Sequence, residues 1–250
     1  MKNFKPAGAK DRIILALDVD CIEDVIKYVD LLREYVGFFK VGIPLFTSCG
    51  FEAIDIIKEH GGRVYFDGKF QDIPNTMAQA SINLMKKGID FFSIASTGGS
   101  RMLSYTVNAC REYAQKNGLD TPVILGVTLL SSFGQKTLTN ELGINMNISN
   151  YVLKLSEIAK NAGLSGVIAP DTDASQIKKE LGEDFTVVCP AVRPMWAAVD
   201  DQIRIVSPSN AIKSGADYII IGRPITHAAE PTVAAKLVIN EIEETLPTKQ

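Results

Sequence analysis

Asp67, Lys69 and Asp72 put two carboxylates and an ammonium into one short run, Val64-Tyr-Phe-Asp-Gly-Lys-Phe-Gln-Asp-Ile-Pro-Asn-Thr76. Side chains alternate faces along a strand. If this run is extended, Tyr65, Asp67 and Lys69 share one face, and Val64 and Phe66 occupy the other, apolar one. An ammonium fixed beside a carboxylate is equipped to stabilise an anion as it forms and then to protonate it. The same residues suit a purely structural reading: a strand end closed by an ion pair, then a helix whose first turn takes Pro74 at little cost. The run alone leaves both readings open. Polar residues also follow other apolar runs: Asp18, Lys40, Ser96, Ser131, Arg193 and the pair Gly222-Arg223.

The elements that must carry these residues alternate along the whole chain. Short apolar or β-branched runs predict strands over Arg12–Asp18, Phe38–Gly42, Arg63–Asp67, Phe91–Ser96, Pro122–Thr128, Gly166–Ala169, Phe185–Cys189 and Tyr218–Gly222. Helical stretches are expected between them over Ile22–Tyr35, Leu45–His60, Asn75–Lys87, Arg101–Asn117, Ile148–Ala162, Asp173–Leu181, Pro208–Ser214 and Pro231–Thr245. Gly61, Gly88, Gly118, Gly163, Gly182 and Gly215 stand where a left-handed cap would end a helix. Strict β/α alternation argues for a parallel sheet. Eight such units in 250 residues favour a closed (β/α)8 TIM barrel, one domain over residues 1–250, rather than an open doubly wound sheet. The open sheet would also want a glycine-rich turn after its first strand, where this chain has Asp18-Val-Asp-Cys21. In such barrels chemistry gathers at the C-terminal strand ends. The two longest connections, Ser131 to Asn147 and Pro190 to Val206, are therefore expected to be functional loops.

Composition excludes several classes. Hydrophobic residues make up 46%, enough for a large core, and 26 Lys+Arg against 29 Asp+Glu give a net charge of −3. That balance offers no basic surface for nucleic acid. No apolar run approaches a membrane span, and the polar segment Met1 to Lys10 lacks the apolar centre of a secretory signal. Cys21, Cys49, Cys110 and Cys189 lie far apart without a CxxC pair, which fits reduced thiols in the cytoplasm. Cys189 reads as core rather than nucleophile. With His60 and His227 as the only histidines, a histidine metal site has little to build on. His60 is expected at a helix end and His227 at a helix start or in a loop. Trp196 suits a lid or an interface, and the tail Glu241–Glu244 a solvated helix face.

Asp67-Gly-Lys69-Phe-Gln-Asp72-Ile-Pro-Asn-Thr76 resembles the DxKxxDIPNT signature of the orotidine 5′-phosphate decarboxylases. The resemblance begins at Leu15-Ala-Leu-Asp18 and runs through Phe39-Lys40-Val-Gly-Ile-Pro-Leu-Phe46, Gly98-Gly99 and Val127-Thr-Leu-Leu-Ser131-Ser132. It ends with Val192-Arg193-Pro194, Asp200-Asp201-Gln202 and Ile221-Gly222-Arg223-Pro224. It implies a cofactor-free and metal-free conversion of orotidine 5′-monophosphate to UMP by a homodimer with shared active sites. Lys40, Asp67 and Lys69, with Asp72 from across the dimer, would form an alternating charged network in which Lys69 donates the proton. Asp18, Lys40 and Asp72 would hold the ribose, with Thr76 beside them, and Ser131 the pyrimidine amide. Gln202, Arg223 and the backbone of Gly222 and Arg223 would hold the 5′-phosphate, and Arg193 falls on a further substrate-binding position. The chain departs from the common pattern in three places. Ala95-Ser96 stands for a usual His-Ala, Ala191-Val192-Arg193 for Gly-Ile-Arg, and Gln71 for a frequent His.

Two rivals follow from the same motif. Sugar-phosphate relatives, the 3-keto-gulonate 6-phosphate decarboxylases and hexulose-phosphate synthases, share the DxKxxD spacing but use Mg2+ with an acidic residue at the second strand end. This chain has Lys40 there, and an ammonium does not ligate Mg2+, which takes oxygen donors. A non-catalytic phosphate-sensing barrel would not need Asp67, Lys69 and Asp72 together.

Overall fold

The computed structural model describes residues 5–197 and 206–246. Its eight strands, all parallel, close into one barrel in sequence order. They are β1 (Ile13–Leu17), β2 (Phe38–Gly42), β3 (Val64–Phe70), β4 (Phe91–Ala95), β5 (Val123–Val127), β6 (Gly166–Ile168), β7 (Thr186–Cys189) and β8 (Tyr218–Ile221). The helices are α1 (Ile22–Leu32), α2 (Ile43–Cys49), α3 (Glu52–Glu59), α4 (Pro74–Lys86), α5 (Gly99–Asn117), α6 (Ile148–Asn161), α7 (Asp171–Leu181), α8 (Pro208–Lys213), α9 (Arg223–Thr226) and α10 (Pro231–Glu243). The expected (β/α)8 barrel is therefore observed, and all six glycines expected at helix ends have positive φ.

Alternation along the strands builds two cores. Outward residues such as Leu15, Val41, Phe66 and Phe92 pack beneath the helices. Inward residues such as Ile14, Phe38, Tyr65, Phe91 and Tyr218 fill the barrel. The floor of the barrel is aromatic: Phe38 and Phe91 lie 4.4 Å apart between ring centroids, and Tyr218 meets Phe91 edge-on at 5.3 Å. Such a floor is rigid because close-packed rings have few alternative arrangements. It fills the barrel interior below the charged layer.

Several expectations change. The helix expected over Leu45–His60 is two helices, because Gly50 takes φ 60 and ψ −146 and ends α2. The apolar pattern runs on past that break, so periodicity alone joined them. The connection from Ser131 to Asn147 has structure of its own, a π-helical turn over Thr137–Glu141 that buries Leu138. His227, expected at a helix start or in a loop, lies in the turn that follows α9, the second of those alternatives. Glu241 is not simply solvated, since its carboxylate accepts bonds from the amide and hydroxyl of Ser209 at the start of α8. Cys189 is buried as expected, and burial pushes its thiol well up.

The largest departure is in β3. Phe66 pairs with Phe92 but the next partner pair is Phe70 with Ile94, so β3 carries extra residues opposite β4. The bulged segment is Asp67-Gly68-Lys69, with Lys69 at φ 51. Bulges of this kind re-aim side chains and recur beside active sites. The strand also runs on to Phe70, beyond the expected end at Asp67.

Candidate active site

The first three strands bring the charges together through their register. Ala16 of β1 lies opposite Lys40 of β2, and Lys40 and Gly42 lie opposite Tyr65 and Asp67 of β3. Lys40 is buried, with its Nζ 3.8 Å from Asp18 Oδ1 and 3.9 Å from Asp67 Oδ2. Lys69 Nζ donates to the same Asp67 Oδ2 at 2.7 Å. Asp67 is thus a carboxylate between two ammonium groups. Burial alone would raise its pKa, but the charges of Lys40 and Lys69 and hydrogen bonds from Lys69 and Ser93 outweigh it. Its carboxyl is held below the usual range. A Cβ on Gly42 would come within 2.8 Å of Lys40 Nζ, so a larger residue there would displace that ammonium.

These groups line a cavity of ≈ 430 Å³ at the C-terminal mouth, within the range of small-ligand sites. Of the residues singled out in the sequence, Asp18, Lys40, Asp67, Lys69, Ser131, Arg193, Gly222 and Arg223 all line it. Gly222 and Arg223 bring the end of β8 into the short helix α9, with Arg223 as its first residue. A Cβ at Gly222 would press on Ala16 Cβ at 3.2 Å and Asp18 Oδ2 at 3.3 Å. A second cleft of ≈ 360 Å³ shares Arg193, Arg223 and Pro224, and adds Trp196 and His227.

Two expected residues among those described are not in the cavity lining. Asp72 and Thr76 are exposed, outside its lining, and Asp72 Oδ1 accepts from the Ile73 amide at 2.6 Å. Gln202, with Asp200 and Asp201, lies outside the described residues. Ser96 is also corrected: its side chain is buried, and its Oγ lies 2.4 Å from where a Cβ on Gly126 would stand. That Cβ would also meet Ala159 and Leu164, so Ser96 faces the helix layer rather than the mouth. Two residues with no assigned role join the site instead. Ser93 Oγ donates to Asp67 Oδ1 at 2.8 Å, and Tyr65 OH donates to the same oxygen at 3.0 Å. Alternation along β3 places Tyr65 on the Asp67 face. The available signal for Ser93 was a hydroxyl two residues after Phe91, at an inward position of an apolar strand.

A family model described as Orotidine 5'-phosphate decarboxylase / HUMPS family matches residues 11–238. The chain belongs to that family. A Geotalea daltonii protein named orotidine 5'-phosphate decarboxylase is 43% identical over 234 residues, 94% of this chain and 97% of that one. A Moorella thermoacetica protein of the same name is 42% identical over 235 residues, 94% of this chain and 93% of that one. The crystal structure of orotidine 5'-phosphate decarboxylase from Lactobacillus acidophilus superposes with a TM-score of 0.81 at 31% identity, over 92% of this chain and 98% of that one. The corresponding structure from Pyrococcus horikoshii OT3 gives 0.72 at 29% identity, over 92% and 98%.

Against the common pattern of the orotidine 5′-phosphate decarboxylases, the departure at Ala191 now has a physical meaning. Ala191 lines the cavity with φ 57, a left-handed backbone that suits the more usual glycine. An L-residue there costs roughly 1–2 kcal/mol, partly offset because glycine loses more chain entropy on folding. Ala191→Gly is therefore expected to stabilise the chain by about 0.5–1 kcal/mol, a rise in Tm of about 1–4 °C. Thermal melts of the two proteins check this. A lower Tm for the glycine variant would show that the backbone at 191 carries no strain. Gln71, another of the three departures, accepts a bond at its Oε1 from the Thr97 hydroxyl at 2.8 Å, outside the cavity lining.

Proposed function

We propose that this chain removes CO2 from orotidine 5′-monophosphate to give UMP in the de novo formation of pyrimidine nucleotides, with Lys69 as proton donor. The observation that carries the reading is Lys69 Nζ seated 2.7 Å from Asp67 Oδ2, with Lys40 on the same oxygen at 3.9 Å, inside the cavity at the barrel mouth. Loss of CO2 from C6 leaves an electron pair in the plane of the ring, where the π system does not delocalise it. A cation already in place beside C6 lowers the energy of that anion without reorganising at the moment of reaction. The same ammonium then delivers its proton to C6. Asp67 holds Lys69 in its aim, and its own charge stands near the departing carboxylate.

The remaining roles follow the cavity. Asp18 and Lys40 hold the ribose and Ser131 the pyrimidine amide. Arg223, the Gly222 and Arg223 amides and Gln202 hold the 5′-phosphate, and Arg193 lines the same end. Arg223 suits this because a guanidinium fork matches phosphate oxygens. Phosphate binding far from C6 contributes to the rate where it helps complete the site.

Asp72 and Thr76 act across a two-fold dimer. What supports this is their exposure outside their own cavity, with Ile73 between them 68% exposed. An isologous contact would bring each pair onto the partner's mouth. The chain works as one barrel domain, in the cytoplasm, where its cysteines, all free among the described residues, remain thiols. No helix of the described residues is long and apolar enough to cross a membrane.

No metal enters this mechanism. The sugar-phosphate branch of the family places a carboxylate where Lys40 stands, and a buried ammonium repels a divalent cation. The deciding experiment follows the absorbance of orotidine 5′-monophosphate with purified protein before and after exhaustive EDTA, with sedimentation of the same sample. Turnover that survives chelation in a particle of two chains is expected. Turnover that vanishes with EDTA and returns with Mg2+ would favour the sugar-phosphate branch, and a particle of one chain would remove the shared site.

A further inference from the structure

The bulge in β3 leaves the Lys69 amide out of the regular ladder, and Ser93 Oγ of β4 takes it at 3.2 Å. The same hydroxyl donates to Asp67 Oδ1 at 2.8 Å. Tyr65 OH reaches that oxygen from below at 3.0 Å, its ring edge-on to Phe91 in the barrel floor. Tyr65 and Ser93 are buried, so both hydroxyls are shielded from solvent. The two oxygens of Asp67 are thereby divided: Oδ1 takes two hydroxyl donors, and Oδ2 takes Lys69 and lies nearest Lys40.

We propose that Tyr65 and Ser93 are positioning residues for decarboxylation, two buried hydroxyls that hold one oxygen of Asp67 so that the other stays on Lys69 and faces the reacting carbon. The inference rests on the decarboxylase reading above. Ser93 has the larger part, because it ties the carboxylate to the backbone of the proton donor. If Asp67 rotated about its Cβ–Cγ bond, Lys69 would follow it away from C6. Misplacement on the scale of an ångström is enough to lose much of a rate that depends on alignment. The pair also acts on charge. The groups facing Asp67 are Lys40 from β2, Lys69 and Tyr65 from β3 and Ser93 from β4, with Asp18 of β1 behind Lys40. Hydrogen bonds to the ionised form hold a carboxyl pKa down, so removing one lets burial push it up.

The test uses Ser93→Ala, Ser93→Thr, Tyr65→Phe and Ser93→Ala/Tyr65→Phe in the full chain, with kcat, KM and the acid limb of the kcat–pH profile. A hydrogen bond to a charged group corresponds to about tenfold or more in rate if its geometry is needed in the transition state. Ser93→Ala is expected to lower kcat at least about tenfold, and Tyr65→Phe about three- to tenfold, with KM changed less than about threefold. Asp67 must be ionised for turnover, and its pKa rises in these variants. Their acid limb therefore moves to higher pH. Ser93→Thr keeps the hydroxyl and should restore both kcat and the limb. A purely structural role would lower Tm and yield while leaving the kcat of the folded fraction and its acid limb unchanged. That result in Ser93→Ala and Tyr65→Phe, with the wild type active, overturns this inference alone. Should Ser93→Ala not fold, Tyr65→Phe, which keeps the ring, decides by the same limb. An inactive wild type would instead overturn the decarboxylase reading and this inference with it.

Discussion

Lys69→Ala is expected to reduce decarboxylation of orotidine 5′-monophosphate to background, a fall in kcat of at least about 10⁴-fold. General acid catalysis supplies about 10²–10⁴, and a preorganised charge at the developing anion about 10²–10³. The proposed mechanism assigns both functions to one ammonium, which lies 2.7 Å from Asp67. The fold should survive. Asp67 keeps Lys40 at 3.9 Å and its two hydroxyl donors, so the loss of stability should stay near about 1–2 kcal/mol. Lys69→Gly gives an internal control. The backbone at 69 has φ 51, so glycine should be as inactive as alanine but melt higher. Single-turnover absorbance and thermal melts read the two effects separately. A folded alanine variant with most of its activity intact would remove Lys69 from the chemistry.

Arg223→Ala should lower kcat/KM for the nucleotide by about 10²–10³-fold, the loss of a charge-assisted fork on phosphate. The nucleoside orotidine, without a phosphate to bind, should lose less than about threefold. This difference between substrates is the informative quantity, because a general disturbance of the mouth would penalise both. Arg223 is exposed at the start of α9, so its removal should leave Tm nearly unchanged. Arg193 lines the same cavity and would keep part of the phosphate affinity. Equal losses on the two substrates would mean that Arg223 acts on something other than phosphate.

Much of this site is legible from local pattern because barrel geometry is periodic. Eight apolar runs alternating with amphipathic helices leave little choice of architecture, and chemistry in such a barrel gathers at the C-terminal strand ends. Asp18, Lys40, Asp67, Arg193 and Arg223 could be placed at the mouth on that basis, and all five line one cavity. The motif around Asp67 and Lys69 carries the family, because several residue types must recur in order for charge, turn and helix start to coexist.

Local pattern therefore sets the architecture and the end of the barrel at which the charges gather. How those charges are held depends on contacts between strands rather than on any one run. Alternation set Lys69 on the face of Asp67, yet the backbone reaches that arrangement through a bulge and a left-handed residue, which depend on how β3 registers against β4. Ser93 could not be singled out, because a lone serine in an apolar strand looks the same whether it fills space or binds a carboxylate. It became visible only when register set its hydroxyl 2.8 Å from Asp67. Ser96 went the other way: a strand-end position suggested the mouth, and packing against Gly126 turned it into the helix layer. Short polar side chains at the junction of two layers take their direction from whichever neighbour leaves room, and that room exists only after the barrel has closed.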